Sequence, residues 1–508
     1  MSRPADSVSI VSGSSLVFIG TIFELGIAFI AKIFIARYLG VYDYGIVSVG
    51  IILLSISTTV VVLGLHHGIA RYLPRFTQPA DRRGILISAF SITTIVSFFV
   101  AFCLFFFSDY IAINIFSNNS FSPVIKIFAG AIPFAAFIRM VLGAMQGTKK
   151  ASPAVFIQNI LLPSARFILI VAVLLIGVSA IRVSWAYLLA YAVASIVGVY
   201  VLYRYTQLFY KVTPVYHFKD LIPFSIPLAL SGIMSLLFVD ADTLLLAYFQ
   251  PATEVGFYSV IYPLSALLVI FLNSFTFLSM PALSELHSKN QLLRMNKMYL
   301  IITKWIFIPT FPIFLSFFFF PETLIQFFFG QDYVSASIGL SILSLGFLFH
   351  ILTGVNESTL LAIGKTKYLL INATVAGVLN IILNLILIPQ YSFIGAAIAT
   401  TISYVSLNLL HSIELYLITG IHPVSKPVIK IGIIATAMAS SIYLLSLRID
   451  ITNIQLLLFA VIFGLVYCII ILRSDALGEE EELLLSRTEE FFGIDLYILR
   501  QTISFFSR

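Results

Sequence analysis

Long apolar stretches alternate with short polar stretches along the whole chain. Each apolar stretch is close to the roughly 20 residues that an α-helix needs to cross a bilayer. Because lipid cannot satisfy exposed backbone groups, this pattern predicts an all-α polytopic membrane protein. We predict about fourteen transmembrane helices, over residues 12–37, 43–65, 84–107, 122–146, 153–177, 183–203, 221–248, 253–280, 300–320, 333–362, 368–389, 392–419, 427–447 and 452–472.

The composition supports a membrane protein and argues against nucleic-acid binding. Of the 508 residues, 60% are hydrophobic and 10% are charged, with a mean hydropathy of +1.05, whereas soluble chains carry roughly 25% charged residues. The net charge of +6 comes largely from basic residues in short loops, where it bears on orientation. Cys103 and Cys468 lie inside apolar runs, so neither a disulfide nor a metal site is predicted.

The loops between the predicted helices alternate in charge. One set of loops carries sixteen basic residues, and the opposite set carries only Arg37, Arg182 and Arg448. Because basic loops stay in the cytoplasm, both termini are predicted to be cytoplasmic in a multi-pass protein of the plasma or inner membrane.

A short motif near the first loop returns later in the chain. "IARYLGVYDYGIVSVGI" begins at Ile35, and "LLAYFQPATEVGFYSVI" begins at Leu245. An offset of 211 residues aligns Gly45 with Gly256 and Asp43 with Glu254. A second pair, "LGAMQGTKK" and "LLAIGKTKY", has an offset of about 217. Helix capping explains each glycine or acidic residue singly, but it does not explain the repetition.

The repeat spans six helices, which is an even number, so the two halves have the same orientation and form parallel repeats. We predict an N-terminal lobe over residues 1–215 with helices one to six, and a C-terminal lobe over 216–420 with helices seven to twelve. Helices thirteen and fourteen occupy 421–472, and a cytoplasmic amphipathic tail occupies 473–508. Two facing six-helix lobes are typical of an alternating-access carrier with a site near the midplane.

Three segments resemble a known family. "ARYLGVYDYGIVSV", "DADTLLLAYFQPATEVGFYSVIYPL" and "GKTKYLLINATVAGVLNIILNLILIPQYSFIGAAIATTISY" are similar to the polysaccharide transporters of the MOP superfamily, and most to Wzx-type flippases of lipid-linked oligosaccharides. The resemblance covers about residues 10–420. It implies a MATE-like V of two bundles and the movement of an isoprenoid-phosphate-linked glycan to the outer leaflet, for cell-surface polysaccharide or glycoconjugate assembly.

Ionisable side chains within the predicted helices are the candidate functional residues, because each is costly in lipid unless it is paired or hydrated. A crossing phosphate must exchange its hydration for compensating charge, which Arg supplies through paired contacts and Lys as a point charge. Arg166 lies near the midplane, and Lys32 and Glu24 lie on nearly the same helix face. The predicted substrate-binding set is Arg166, Arg139, Lys32 and Glu24. The resemblance also implies a cationic cavity, but it does not match particular residues.

Acidic residues of the second half are candidates for coupling or gating. Asp240 and Asp242 are two apart on a helix, about 200° around its axis, so they do not easily face one cavity. Either one could bind Na⁺ or a proton, or hold an arginine of the first lobe when the carrier is closed. Glu357, near the cytoplasmic end of its helix, is included in this set. No cofactor is predicted apart from such a coupling ion.

Structural interpretations compete with these roles. Arg139 and Glu24 could form a structural bridge, and Asp240 and Asp242 could be structurally paired. Lys126 and Arg37 are expected to extend to the outer interface. Glu414 is expected at the inner interface and His350 as a hydrogen-bonded buried histidine.

Three other functions compete with a flippase. A MATE-like multidrug exporter would favour an acidic or aromatic cavity, whereas the first lobe here is mostly basic. A membrane glycan-processing enzyme would require a large outer loop with catalytic acids, and we identify no paired acids of this kind. A scaffolding role stays open. The expected partners are the lipid-linked glycan, membrane lipids and glycan polymerase or transferase machinery, with no nucleic acid.

Overall fold

The computed structural model describes residues 4–422, 426–448 and 462–471. Every secondary-structure element assigned in these ranges is helical, so the prediction of an all-α fold is confirmed. The chain divides into two compact units. The first comprises Met1–Val260, Phe328–Tyr333 and Ile388–Phe393; the second comprises Ile261–Phe327, Val334–Leu387 and Ile394–Arg508. The predicted lobe boundaries at residues 215 and 420 concern the sequence repeat and stay a prediction.

Among the described residues, ten α-helices lie wholly in the first unit. They are α1 (Pro4–Leu39), α2 (Val41–Val62), α3 (Leu65–Tyr72), α4 (Pro79–Phe106), α5 (Ser108–Tyr110), α6 (Phe121–Gly147), α7 (Ala151–Val155), α8 (Leu162–Ile176), α9 (Ala180–Tyr205) and α10 (Phe218–Phe249). A π-helical segment over Phe156–Leu161 joins α7 to α8, so these two form one predicted transmembrane helix.

The second predicted helix is shorter than expected. It ends at Val62, and the chain continues through Leu63 and Gly64, with φ of 49° and 69°. A side chain at Gly64 would overlap the backbone oxygen of Ser225 in α10. The break at Gly64 therefore permits close contact with α10. After the break, the chain continues as a separate short helix, α3.

The two copies of the repeated motif contact each other inside the first unit. A Cβ atom built on Gly45 would overlap the carbonyl oxygen of Ala252 and lie 2.9 Å from the nitrogen of Gly256. Reciprocally, a Cβ atom on Gly256 would overlap the carbonyl oxygen of Val41. Equivalent glycines thus permit a backbone-to-backbone contact between the start of α2 and the start of α11 (Ala252–Ala266).

The equivalent acidic residues hold equivalent positions in the two copies. The Asp43 carboxylate accepts a hydrogen bond of 3.3 Å from the backbone N–H of Ala180, the first residue of α9. The Glu254 carboxylate accepts one from the hydroxyl of Ser392. Each acidic side chain therefore ties its motif to the beginning of a later predicted helix, the sixth in one repeat and the twelfth in the other.

The second unit contains most of the remaining helices. They are α12 (Ile270–Ser288), α13 (Leu292–Phe319), α14 (Pro321–Phe329), α15 (Ser337–Leu352), α16 (Asn356–Ala362), α17 (Thr366–Thr419) and α18 (Lys426–Ser446). The predicted helix over 333–362 is interrupted at Gly354, whose φ is 63° and where a Cβ atom would overlap the Thr303 side chain. α17 covers two predicted helices and has a non-helical break at Ser392.

Within the described residues, eleven helices are long and apolar enough to cross a membrane. One of them is α17, which contains two predicted transmembrane helices, so about fourteen in the whole chain fits the structure. Of the predicted helix over 452–472, residues 462–471 are described and are helical. The predicted tail over 473–508 lies outside the described residues.

Candidate functional site

Arg166 lies between two tyrosine rings of the first unit. It follows Pro163 in the first turns of α8, and its side chain is half-buried. The guanidinium carbon is 4.8 Å from the ring centroid of Tyr187 and 5.5 Å from that of Tyr191. These residues are one turn apart on α9, so both rings present an electron-rich face to the cation. The sequence analysis did not identify either tyrosine.

The guanidinium keeps donors available. Nη2 of Arg166 donates a long hydrogen bond of 3.4 Å to the Tyr191 hydroxyl. Nε is buried and has no hydrogen-bond partner among the described residues. An arginine carries five N–H donors, and Arg166 makes no ion pair among the described residues. Its guanidinium can therefore still bind an anion.

Glu24 and Lys32 of α1 lie near Arg166. Glu24 accepts a hydrogen bond of 2.6 Å from the side-chain amide of Asn159, and it interacts electrostatically with Arg166. α1 packs closely against the segment that contains Asn159, since a Cβ atom on Gly20 would be only 3.2 Å from the Cβ atom of Asn159. Lys32 is affected by the charges of both Arg166 and Asp240. The structure thus brings together three of the four predicted substrate-binding residues.

The two aspartates of α10 have different surroundings, as their separation around the helix predicts. Asp240 is half-buried and interacts electrostatically with Lys32. Asp242 is 2% exposed and accepts a hydrogen bond of 2.7 Å from the Tyr258 hydroxyl. Among the described residues, Lys32 and Asp240 interact electrostatically without forming a direct ion pair.

Arg139 does not join this cluster. It is exposed on α6, and its charge acts on His66 of α3. Burial, the neighbouring His67 and Arg139 lower the pKa of His66 to about 3, so that ring is neutral. The alternative bridge between Arg139 and Glu24 is wrong, because Glu24 bonds to Asn159 instead. The sequence could not show that Arg139 faces α3.

Three other predicted residues lie in the second unit. Glu357 is exposed at the start of α16, and its charge acts on His350. His350 contacts the side-chain oxygen of Asn408 through Nδ1 at 2.8 Å, which matches the expected hydrogen-bonded histidine. Glu414 accepts a hydrogen bond of 2.6 Å from Asn372. Roles in coupling for Asp240, Asp242 and Glu357 stay predictions.

Comparisons with known families agree with the fold. A family model described as "Polysaccharide biosynthesis protein" matches residues 10–287, and the MatE family model matches residues 227–386. A Shigella flexneri protein named "Putative O-antigen transporter" is 24% identical over 385 residues, which cover 73% of this chain and 88% of that protein.

Two solved structures share the architecture. The inward closed conformation of the lipid II flippase MurJ superposes with a TM-score of 0.71 at 19% identity, over 91% of this chain and 99% of that one. An inward-facing multidrug resistance MATE transporter of the MOP superfamily gives 0.65 at 13% identity, over 81% and 98%. At these identities the similarity establishes the fold alone, and it confirms the predicted MATE-like architecture. The polysaccharide biosynthesis family model, in contrast, matches more than half of the sequence, so the chain belongs to the polysaccharide biosynthesis protein family.

Proposed function

We propose that this chain is a flippase that moves an isoprenoid-phosphate-linked oligosaccharide from the cytoplasmic to the outer leaflet by alternating access. Three findings support the proposal: the polysaccharide biosynthesis family match, the O-antigen transporter relative and the structural neighbour titled as a lipid II flippase. The observation that carries it is Arg166, a half-buried cation held between two tyrosines with donors still available.

Phosphate recognition follows from this geometry. The Tyr187 and Tyr191 rings stabilise the Arg166 guanidinium through their π faces and not through a carboxylate. N–H donors of the guanidinium therefore stay available for phosphate oxygens. Lys32 adds a second positive charge nearby. Exchange of the phosphate's hydration for these two cations lowers the cost of passing its charge through the membrane.

Asp240 supplies a means of release. The Asp240 carboxylate acts on Lys32, and a phosphate beside Lys32 would compete with that carboxylate for the same ammonium. A ligand shifts a conformational equilibrium only through different affinities for the two states. The change of partner at Lys32 supplies such a difference, and binding of Na⁺ or a proton at Asp240 would modulate it.

A cation exporter is the second candidate, and specific residues favour it. Glu24 and Asp240 place two carboxylates beside the two cations, and the MatE model matches residues 227–386. An organic cation would bind the carboxylates and would gain nothing from Arg166. The two functions therefore make opposite predictions for substitution of Arg166.

A flipping assay separates the two functions. Full-length protein in proteoliposomes would receive a fluorescent polyprenyl-pyrophosphate oligosaccharide, with wild type, Arg166→Ala, Arg166→Lys and the control Arg204→Ala compared. Arg204 is exposed at the end of α9, away from the tyrosines. Loss of one charged hydrogen-bonding partner predicts a drop of about tenfold or more for Arg166→Ala. We expect partial recovery in Arg166→Lys and little change in Arg204→Ala.

The result has clear alternatives. Wild type and correctly folded Arg166→Ala could transport the glycolipid equally well. That result would contradict a role for Arg166 and would still support flippase function. Export of organic cations by a wild-type protein that moves no glycolipid would replace the flippase with the exporter. Thermal unfolding in detergent provides the check on folding for each variant.

A further inference from the structure

Large aromatic side chains are exposed along one face of α4. Phe98, Phe102 and Phe105 are 62%, 59% and 49% exposed, and their spacing of three or four residues places them on a single face. With residues of α6, they line a cavity of about 440 Å³. All its lining residues are apolar: Phe98, Ala101, Phe102, Phe105, Gly130, Pro133 and Phe134. Both helices are long and apolar enough to span a membrane, so the natural occupant of this cavity is a lipid chain.

A polar cavity lies next to the same two helices, at the beginning of α6. Its volume is about 380 Å³, and it is lined by Asp109, Asn119, Ser120, Ser122, Pro123 and Lys126. The Lys126 ammonium donates to both carboxylate oxygens of Asp109 at 3.0 Å, and the Ser122 hydroxyl donates to the same carboxylate. This fixed pair places one positive and one negative charge side by side.

The surrounding loop is also held in place. The side-chain amide of Asn118 donates to the Tyr42 hydroxyl at 2.8 Å, and its oxygen accepts from the backbone N–H of Ser120 at 3.0 Å. Hydrogen bonds from Ser122 and Lys126 lower the pKa of Asp109, so this carboxylate is ionised at neutral pH.

The two cavities are lined by successive turns of α6, and together they are called the strip below. On α6, Ser122, Lys126, Gly130 and Pro133 follow one another at spacings of three or four residues, so they share a face of the helix. The polar cavity occupies the first turns of this face and the apolar cavity the next turns. A polar end that leads directly into an apolar groove matches a molecule with a charged headgroup and a long hydrocarbon chain.

We propose that this strip binds a zwitterionic phospholipid with a primary ammonium, such as phosphatidylethanolamine. Its phosphate pairs with Lys126, its ammonium donates to Asp109, and one acyl chain lies against the phenylalanines of α4. The charges favour this occupant, because a headgroup of one sign would meet an already neutral pair. The cluster around Arg166 does not contribute to this strip, so the proposal does not depend on flippase activity.

Lipid selectivity tests the headgroup end. Full-length protein stripped of lipid in detergent would be titrated with phosphatidylethanolamine, phosphatidylcholine or phosphatidylglycerol, and the bound fraction measured by native mass spectrometry. We expect phosphatidylethanolamine to bind best, since the methylated choline cannot donate a hydrogen bond to Asp109. Asp109→Asn leaves Lys126 unpaired, so the preference should change to the anionic phosphatidylglycerol. Equal binding of the three lipids, or no change of preference in Asp109→Asn, would overturn the proposal.

Paired aromatic variants test the chain end. Phe102→Ala with Phe105→Ala removes two rings that line the apolar cavity, and we expect about a tenfold loss of phosphatidylethanolamine affinity. Phe99→Ala with Phe107→Ala removes two rings that are 66% and 60% exposed and do not line it. This control should change affinity less than about twofold. Equal losses in the two double variants would mean that lipid covers the helix without a defined site.

Discussion

The two copies of the repeated motif differ less in their backbone than in the helices that precede them. Gly45 lies against the backbone of Ala252 and Gly256, and Gly256 lies against that of Val41. Asp43 and Glu254 each tie their motif to a later helix. The helices that lead into the two motifs are α1 and α10, and each carries a different set of charged residues. Lys32 lies on α1 and Asp240 on α10, and the two interact. The two copies thus share the junction, whereas the charged residues beside it differ in position and sign.

The difference separates two kinds of constraint. At some glycine positions, an added Cβ atom would overlap a neighbouring backbone. No other residue fits there, because every other residue has that atom. A charge inside the protein is constrained only by its partner, and the two copies can adopt opposite signs. The junction is therefore the structural part of the motif, and the charged residues before it are the part available for function.

The largest predicted effect concerns the glycine contact. Gly45→Ala and Gly256→Ala should each destabilise the protein by about 1–3 kcal/mol or more. The added methyl group has no free space, so the adjacent backbone must move to accommodate it. The thermal unfolding midpoint of purified protein would report this loss. Gly26→Ala is the matched control, since a Cβ atom there meets nothing within 4 Å. Equal midpoints in all three variants would contradict the close contact.

An intermediate effect is expected at the charged pair. Lys32→Gln or Asp240→Asn should each reduce transport severalfold, and the double variant should lose less than the sum if the two charges interact. A double-mutant cycle on flipping rates, with about 1 kcal/mol of coupling expected for a half-buried pair, measures this. Strictly additive losses would show that Lys32 and Asp240 act independently.

The smallest effects are expected at the two acidic residues of the motif, and they should be unequal. Asp43→Asn removes a negative charge from the start of α9, where the helix dipole favours it, at a cost of about 0.5–1 kcal/mol. Glu254→Gln keeps an oxygen acceptor for the neutral Ser392 hydroxyl, so it should cost less. Unfolding midpoints of the two variants give the comparison. A larger loss for Glu254→Gln would reverse our interpretation.

Much of the fold was predictable because the membrane imposes simple requirements on the chain. Apolar length locates the helices, and the repetition of Gly45 as Gly256 locates the junction. The breaks at Leu63 and Gly64 and at Gly354 were missed, because each depends on a close neighbour from a distant helix. The contact of α10 with Gly64 and the contact of Thr303 with Gly354 do not change the local hydrophobic pattern.

The candidate site was predicted in part. Lys32, Glu24 and Arg166 were identified as isolated charges in apolar helices, and the structure brings them together. Tyr187, Tyr191 and Asn159 were missed, although "SWAYLLAYAV" does place two tyrosines one turn apart. Tyrosines are common in membrane helices, so their spacing alone did not indicate that they would enclose a cation.

The sequence by itself determined the class of protein, the approximate positions of its helices and the existence of two related halves. These depend on length, hydrophobicity and repetition, which act along the chain. Only the tertiary structure decided that Gly45 meets Gly256, that Arg166 lies between Tyr187 and Tyr191, and that Arg139 faces His66 instead of Glu24. The physical reason is that a side chain's partner depends on the rotation and packing of neighbouring helices, which local hydrophobicity does not encode.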